Sequence, residues 1–190
     1  LFMCAGYYSY RGGHSPDFPG RDAFDGPVVH PQEWPEALDY SGKRVAVIGS
    51  GATAMTLVPA MVKPGSRRAA HVTLIQRSPT YVVARPEVDR VNLALRRVLP
   101  ERLAYALTRK KNIWFSDKVY AKTRSDPEKV RGLLLRGVRK ALGEGFDVCR
   151  HFSPGYNPWD QRLCLIPDGD LFDAINAGTA SVAVSYTHLT

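Results

Sequence analysis

The 190 residues are 44% hydrophobic and 10% aromatic, enough for one ordinary domain with a core. The net charge of +8 arises from 26 Lys+Arg against 18 Asp+Glu. Three widely spaced cysteines, Cys4, Cys149 and Cys164, argue against a disulfide framework, a Cys-x-x-Cys redox pair or a Cys/His zinc site, so a reducing, cytoplasmic setting is expected.

In chain order, Leu1-Phe2-Met3-Cys4-Ala5 reads as a buried strand closing at Gly6. The chain opens on Leu1, inside that strand, and reads as a piece of a larger protein. Residues 7–42 form a long connector rich in Gly, Pro, Asp and aromatics, without periodicity. A structureless loop of such length marks function or a domain junction. Within it, Phe24-Asp25-Gly26-Pro27-Val28-Val29-His30-Pro31-Gln32-Glu33-Trp34-Pro35 concentrates stiff and bulky residues. His30, alone in a loop, suits a structural role better than a catalytic one, and Trp34-Pro35 suits a hydrophobic plug at a domain seam.

Lys43-Arg44-Val45-Ala46-Val47-Ile48 then predicts a strand, Gly49-Ser50-Gly51-Ala52-Thr53-Ala54 a turn, and residues 55–62 a helix. Residues 45–62 carry no charge, as a membrane span would, but two glycines, Pro59 and hydroxyl side chains favour strand–turn–helix. Pro59 is expected to kink this helix or end it early. His71-Val72-Thr73-Leu74-Ile75-Gln76 predicts a second strand, which makes a right-handed βαβ unit with a parallel sheet, an α/β Rossmann-type fold.

Residues 87–145 read as helices: Val88, Val91, Leu95, Val98, Leu103 and Leu107 recur at spacings of three and four, interrupted by Pro100, and Leu134, Leu135, Val138 and Leu142 repeat the pattern. Between Arg85 and Arg150 there are 17 basic against 8 acidic residues, so the basicity belongs to this segment, which reads as a separate helical insertion. Its cations are either solvated faces or contacts for a membrane surface or an acidic partner. Too few aromatics are interleaved for base stacking, which argues against nucleic acid. An aromatic turn, Pro154-Gly155-Tyr156-Asn157-Pro158-Trp159, precedes Gln161-Arg162 and the apolar run Leu163-Cys164-Leu165-Ile166. Ser181-Val182-Ala183-Val184 begins a strand, and residues 185–190 fit no pattern and read as a foreign tail.

Gly49-x-Gly51-x-x-Ala54 has a physical purpose in strand–turn–helix context. The first glycine allows the tight turn, the second a close approach of pyrophosphate to the backbone, and the small third residue close helix–strand packing. The N–H groups opening the helix, around Ser50, Ala52 and Thr53, face the phosphates. An NAD site carries a carboxylate at the end of the second strand. Here Gln76-Arg77-Ser78 stands instead, and Arg77 with Ser78 suits the 2′-phosphate of NADPH.

Together, Phe24-x-Gly26-x-x-x-His30-x-x-x-Trp34-Pro35 just ahead of a glycine motif resembles the fingerprint of Baeyer–Villiger monooxygenases, relatives of the flavin-containing monooxygenases. "HPQEWPEALDYSGKRVAVIGSGATAMTLVPAM", "LIQRSPTYVVARP" and "YNPWDQRLCLIPDGDLF" are most similar to the ethionamide-activating subgroup, and the resemblance runs from Leu1 to about Val184.

The resemblance implies a two-dinucleotide flavoprotein using FAD, NADPH and O₂ to oxygenate ketones or sulfur through a flavin C4a-peroxide. Residues 1–10 would end the FAD domain, 11–42 link, 43–86 and 157–184 form the NADP-binding domain, and 87–156 be inserted. Cys4-Ala5-Gly6 is similar to the family's Ala-Thr-Gly signature, with Ala5 in the Thr position. The family's first glycine motif would precede Leu1, so the chain alone is expected to be inactive. Gln161-Arg162 falls where the family places its active-site arginine, and His30 would lie at the domain junction, coupling domain motion to catalysis rather than transferring protons itself. The rival readings are a reductase with two dinucleotide sites, disfavoured by the lack of a cysteine pair, and a non-catalytic basic module for anionic surfaces.

Overall fold

A computed structural model of the chain describes residues 12–65 and 67–184. The expected first strand, Cys4, Gly6 and residues 185–190 lie outside the described residues. The chain divides between Asp39 and Tyr40 into two compact units.

The first unit, among its described residues, is connector with two short 3-10 turns, Arg21–Ala23 and Pro31–Glu33. His30 sets the second turn. Its Nδ1 accepts a hydrogen bond from the Gln32 N–H at 3.2 Å, while Pro31 sits where a helical N–H would find no partner. The imidazole lies against Gly13, where an added Cβ would have to push the ring aside.

In the second unit the expected strand–turn–helix–strand is present: β1 (Arg44–Ile48), α1 (Ala52–Val62) and β2 (His71–Gln76). β1 and β2 pair in parallel, Arg44 against His71 through Ile48 against Ile75. The uncharged stretch is therefore a strand, a turn and a helix, and among the described residues no helix is long and apolar enough to cross a membrane. α1 continues through the buried Pro59 to Val62 and closes there, with the Lys63 N–H donating to the Pro59 carbonyl. Pro59 has no N–H to give the Met55 carbonyl, so α1 forgoes one internal hydrogen bond there and runs on for only three more residues. Met55 and Val58 of α1 are fully buried, worth about 1.5–3 kcal/mol each.

Three further elements complete the sheets. β3 (Tyr81–Arg85) pairs in parallel with β4 (Leu163–Pro167), and β5 (Ala180–Val184) pairs in parallel with β2, giving a three-stranded sheet β1-β2-β5 and a two-stranded sheet β3-β4. β2, the central strand, buries Val72, Leu74 and Gln76 in alternation.

The helical segment comprises α2 (Arg90–Arg96), α3 (Glu101–Ser125), α4 (Pro127–Leu142) and the five-residue α5 (Val148–Phe152). α6 (Asp170–Asn176) follows β4. Val130, Leu135, Val138 and Leu142 form the buried stripe of α4, which packs on β3, and α5 packs against β5. Phe152 is fully buried between Phe146 and Phe172, with both ring centroids at 5.9 Å. The expected stripe upstream is different: Val88 and Val98 lie outside the helices, and Val91, Leu103 and Leu107 are exposed. Their spacing predicts helix, and burial depends on what else packs there.

α2 is fastened to α3 by one carboxylate. Asp89 caps α2 by accepting from the Val91 and Asn92 N–H groups, and its Oδ2 receives Lys111 Nζ at 2.6 Å and Asn112 Nδ2 at 3.3 Å. The Lys111 hydrogen bond, reinforced by the Asn92 N–H, lowers its pKa from 3.8 to about 2. A depressed carboxylate pKa stabilises the fold above the ordinary value, and that stabilisation is lost as pH falls through the folded value. Asp89→Ala should therefore lower the thermal midpoint at neutral pH, and the gap from wild type should close between about pH 4 and pH 2. A gap that stayed constant over that range would show that the ion pair contributes nothing.

Candidate functional site

Parallel strands deliver their carboxyl ends to one edge, and there the chain turns into α1. Gly49 has φ +138°, a conformation that L side chains rarely adopt, and its N–H is anchored on the Ile75 carbonyl at 2.8 Å. Gly51 is the N-cap of α1 with no side chain to cap it. A Cβ built on either glycine meets nothing within 4 Å, so the turn borders open space. Ala52 and Thr53 are exposed on the first turn, while Ala54 is buried, as a small residue packed under the turn should be. Open backbone with uncapped N–H groups at the start of an 11-residue helix fits a pyrophosphate.

Arg77 and Ser78 follow β2 and are both exposed. Gln76, at the strand end, is fully buried, and its Nε2 donates to the His151 carbonyl at 2.6 Å. Its Oε1 is buried without a partner. The chain therefore presents a guanidinium and a hydroxyl beside this edge while the amide is turned inward. That donor set fits a phosphate better than a ribose 2′-hydroxyl.

Arg162 and Ser50, far apart in sequence, are brought together. Arg162 Nη2 donates to Ser50 Oγ at 2.8 Å, and Ser50 is 6% exposed. Arg162 itself is exposed and opens β4, one residue before Leu163 pairs with Tyr81. Cys164 lies beneath the same turn, with Sγ 3.9 Å from the Ser50 carbonyl. Burial pushes its thiol up, opposed by the neighbouring Thr80 hydroxyl and the charge of Arg162. Gln161 is exposed. His30 belongs to the first unit, where its described contacts are those to the turn and to Gly13.

Residues that sequence reasoning passed over hold Arg162 from behind. Tyr156 Oη donates to the Arg162 carbonyl at 3.0 Å and is 3.0 Å from Thr80 Oγ1. Tyr81 Oη donates to the Tyr156 carbonyl at 2.7 Å, and the two rings meet edge to face at 5.5 Å. Burial raises the Tyr81 phenol pKa, against the charge of Arg131. The aromatic loop is also pinned by Arg131 to Ser153, by the Arg124–Asp160 ion pair and by Tyr120 against Trp159. The one sequence signal was the density of aromatics and prolines just ahead of Gln161-Arg162. Among the described residues no cluster suits a metal ion.

The chain matches the flavin-binding monooxygenase-like (FMO-like) family over residues 1–136. It is 54% identical over 179 residues to the probable FAD-binding monooxygenase AlmA of Acinetobacter baylyi, covering 94% of this chain and 35% of that protein. It is 51% identical over 182 residues to the FAD-containing monooxygenase EthA of Mycobacterium tuberculosis, covering 96% of this chain and 37% of that protein. Among solved structures, OTEMO in complex with FAD and NADP superposes with a TM-score of 0.65 at 18% identity, over 95% of this chain and 41% of that one, which bears on the fold alone. The chain thus spans little more than a third of the length of these relatives. With the glycine turn, the strand order and these likenesses in agreement, the chain belongs to the flavin-binding monooxygenase-like family.

Proposed function

We propose that this chain is the NADPH-binding part of an FAD- and NADPH-dependent monooxygenase that inserts one oxygen atom of O₂ into ketones or adds it to sulfur. In this reading residues 1–10 end the FAD domain, with Gly6 close to the flavin nucleotide. Residues 11–42 link, 43–86 and 157–184 bind NADPH, and 87–156 are inserted. Residues 49–54 hold the pyrophosphate, and Arg77 with Ser78 hold the 2′-phosphate. Gln161 borders the cofactor. Bound NADPH and FAD supply the hydride and the oxygen-activating ring. His30 keeps the connector in one geometry, as its contacts with the Pro31 turn and Gly13 suggest.

The observation that carries the reading is the Arg162–Ser50 hydrogen bond, because it joins the expected active-site cation to the phosphate-binding turn. A guanidinium stays charged at every relevant pH. Placed beside the reacting carbonyl, it stabilises the negative charge developing on the substrate oxygen, an effect of about 3 kcal/mol in oxyanion sites.

Three measurements test this. Arg77→Ala should weaken NADPH binding by about 10–100-fold, the loss of about 1.5–3 kcal/mol of charge-assisted hydrogen bonding, and leave NADH binding unchanged. Equal losses for both nucleotides would mean that Arg77 does not read the 2′-phosphate. Arg162→Ala should abolish oxygenated product in the full-length protein while NADPH is still consumed, and undiminished product would remove Arg162 from the reaction. The glycines should separate: Gly49→Ala destabilises the fold by about 1–3 kcal/mol through its positive φ. Gly51→Ala costs less than about 1 kcal/mol in stability, yet by filling the open side of the turn it should reduce NADPH affinity at least about tenfold, read by titration.

A further inference from the structure

We infer that Tyr156 is the positioning residue of Arg162, and that it fixes the arginine relative to the β2–β3 loop carrying Arg77 and Ser78. The inference rests on the reading of Arg162 as the active-site cation. An arginine on an exposed strand end has a long, freely rotating side chain and is useful only if its origin and its tip are both held. Here the tip is held by Ser50 Oγ at 2.8 Å and the origin by Tyr156 Oη, which donates to the Arg162 carbonyl at 3.0 Å.

Tyr156 is in turn referenced to buried structure. Its carbonyl receives Tyr81 Oη at 2.7 Å, its ring stands edge-on to Tyr81, and its phenol oxygen is 3.0 Å from Thr80 Oγ1. Thr80 and Tyr81 are 0% and 1% exposed. A phenol has one proton, and since Tyr156 gives it to Arg162, Thr80 is the donor to Tyr156. The bonds therefore run one way, from Thr80 to Tyr156 to the Arg162 carbonyl, and they start two residues after Ser78. A phosphate gripped by Arg77 and Ser78 bears on the same β2–β3 loop from which the arginine is aligned.

The test uses the full-length protein with NADPH and a ketone or thioether. Tyr156→Phe keeps the ring against Tyr81 and deletes the phenol. Product formed per NADPH consumed should fall at least about fivefold, with the KM for NADPH, the rate of flavin reduction and the melting midpoint little changed. Thr80→Val, which leaves the phenol in place, should shift coupling in the same direction by less. Coupling retained in Tyr156→Phe would overturn the inference, as would a loss matched by equal losses in flavin reduction and thermal midpoint. Arg162→Ala run alongside separates the two claims. If it loses product while Tyr156→Phe stays coupled, only the positioning role falls; if Arg162→Ala keeps its product, the reading of the arginine falls and the positioning role with it.

Discussion

Parallel pairing of β2 with β1 on one side and β5 on the other is the constraint from which the site follows. Parallel neighbours cannot be joined by tight hairpins, so each connection must cross over, and all strands end at one edge. The glycine turn after β1 and the Arg77–Ser78 pair after β2 consequently lie at that edge, although neither has any local reason to be near the other. β3 starts almost at once, so the amino end of the second sheet adjoins the carboxyl end of the first. Arg162 opens β4 opposite the start of β3 and meets Ser50 for that reason.

The same junction explains why a buried serine, a buried thiol and an exposed arginine converge. Ser50 is shielded, yet its hydroxyl is supplied with a charged donor, so its desolvation is offset. Cys164 packs under the turn as a small apolar residue whose burial favours the neutral thiol. The arginine itself remains exposed.

Much of this was legible in the residues. β2 fell on the expected six residues and β1 within one, because short β-rich apolar runs bounded by turns have few other ways to pack. β3 was missed: Tyr81-Val82-Val83-Ala84 lies between Pro79 and Pro86, and its partner lies beyond the whole helical segment, so nothing local marks it as a strand. α5 and α6 are too short to show a period. The contacts of Tyr156 were illegible for a different reason. Two of them use main-chain carbonyls, which every residue possesses, so no residue type announces them. The helical spacing of Leu103 and Leu107 was true of the backbone and silent about cover.

The pairing of β3 with β4 and of β2 with β5 also orders events in time. β1 and β2 are separated only by α1 and a short loop, so their contact closes a small loop, whereas Tyr81 must find Leu163, and Val72 must find Ala180, across the whole helical segment. Distant parallel pairings form slowly, and α3 and α4, built from local contacts, are free to form beforehand and shorten the search. On loop-closure grounds the glycine turn is expected to assemble early in folding, and the arginine to reach it only when the last long-range strands close.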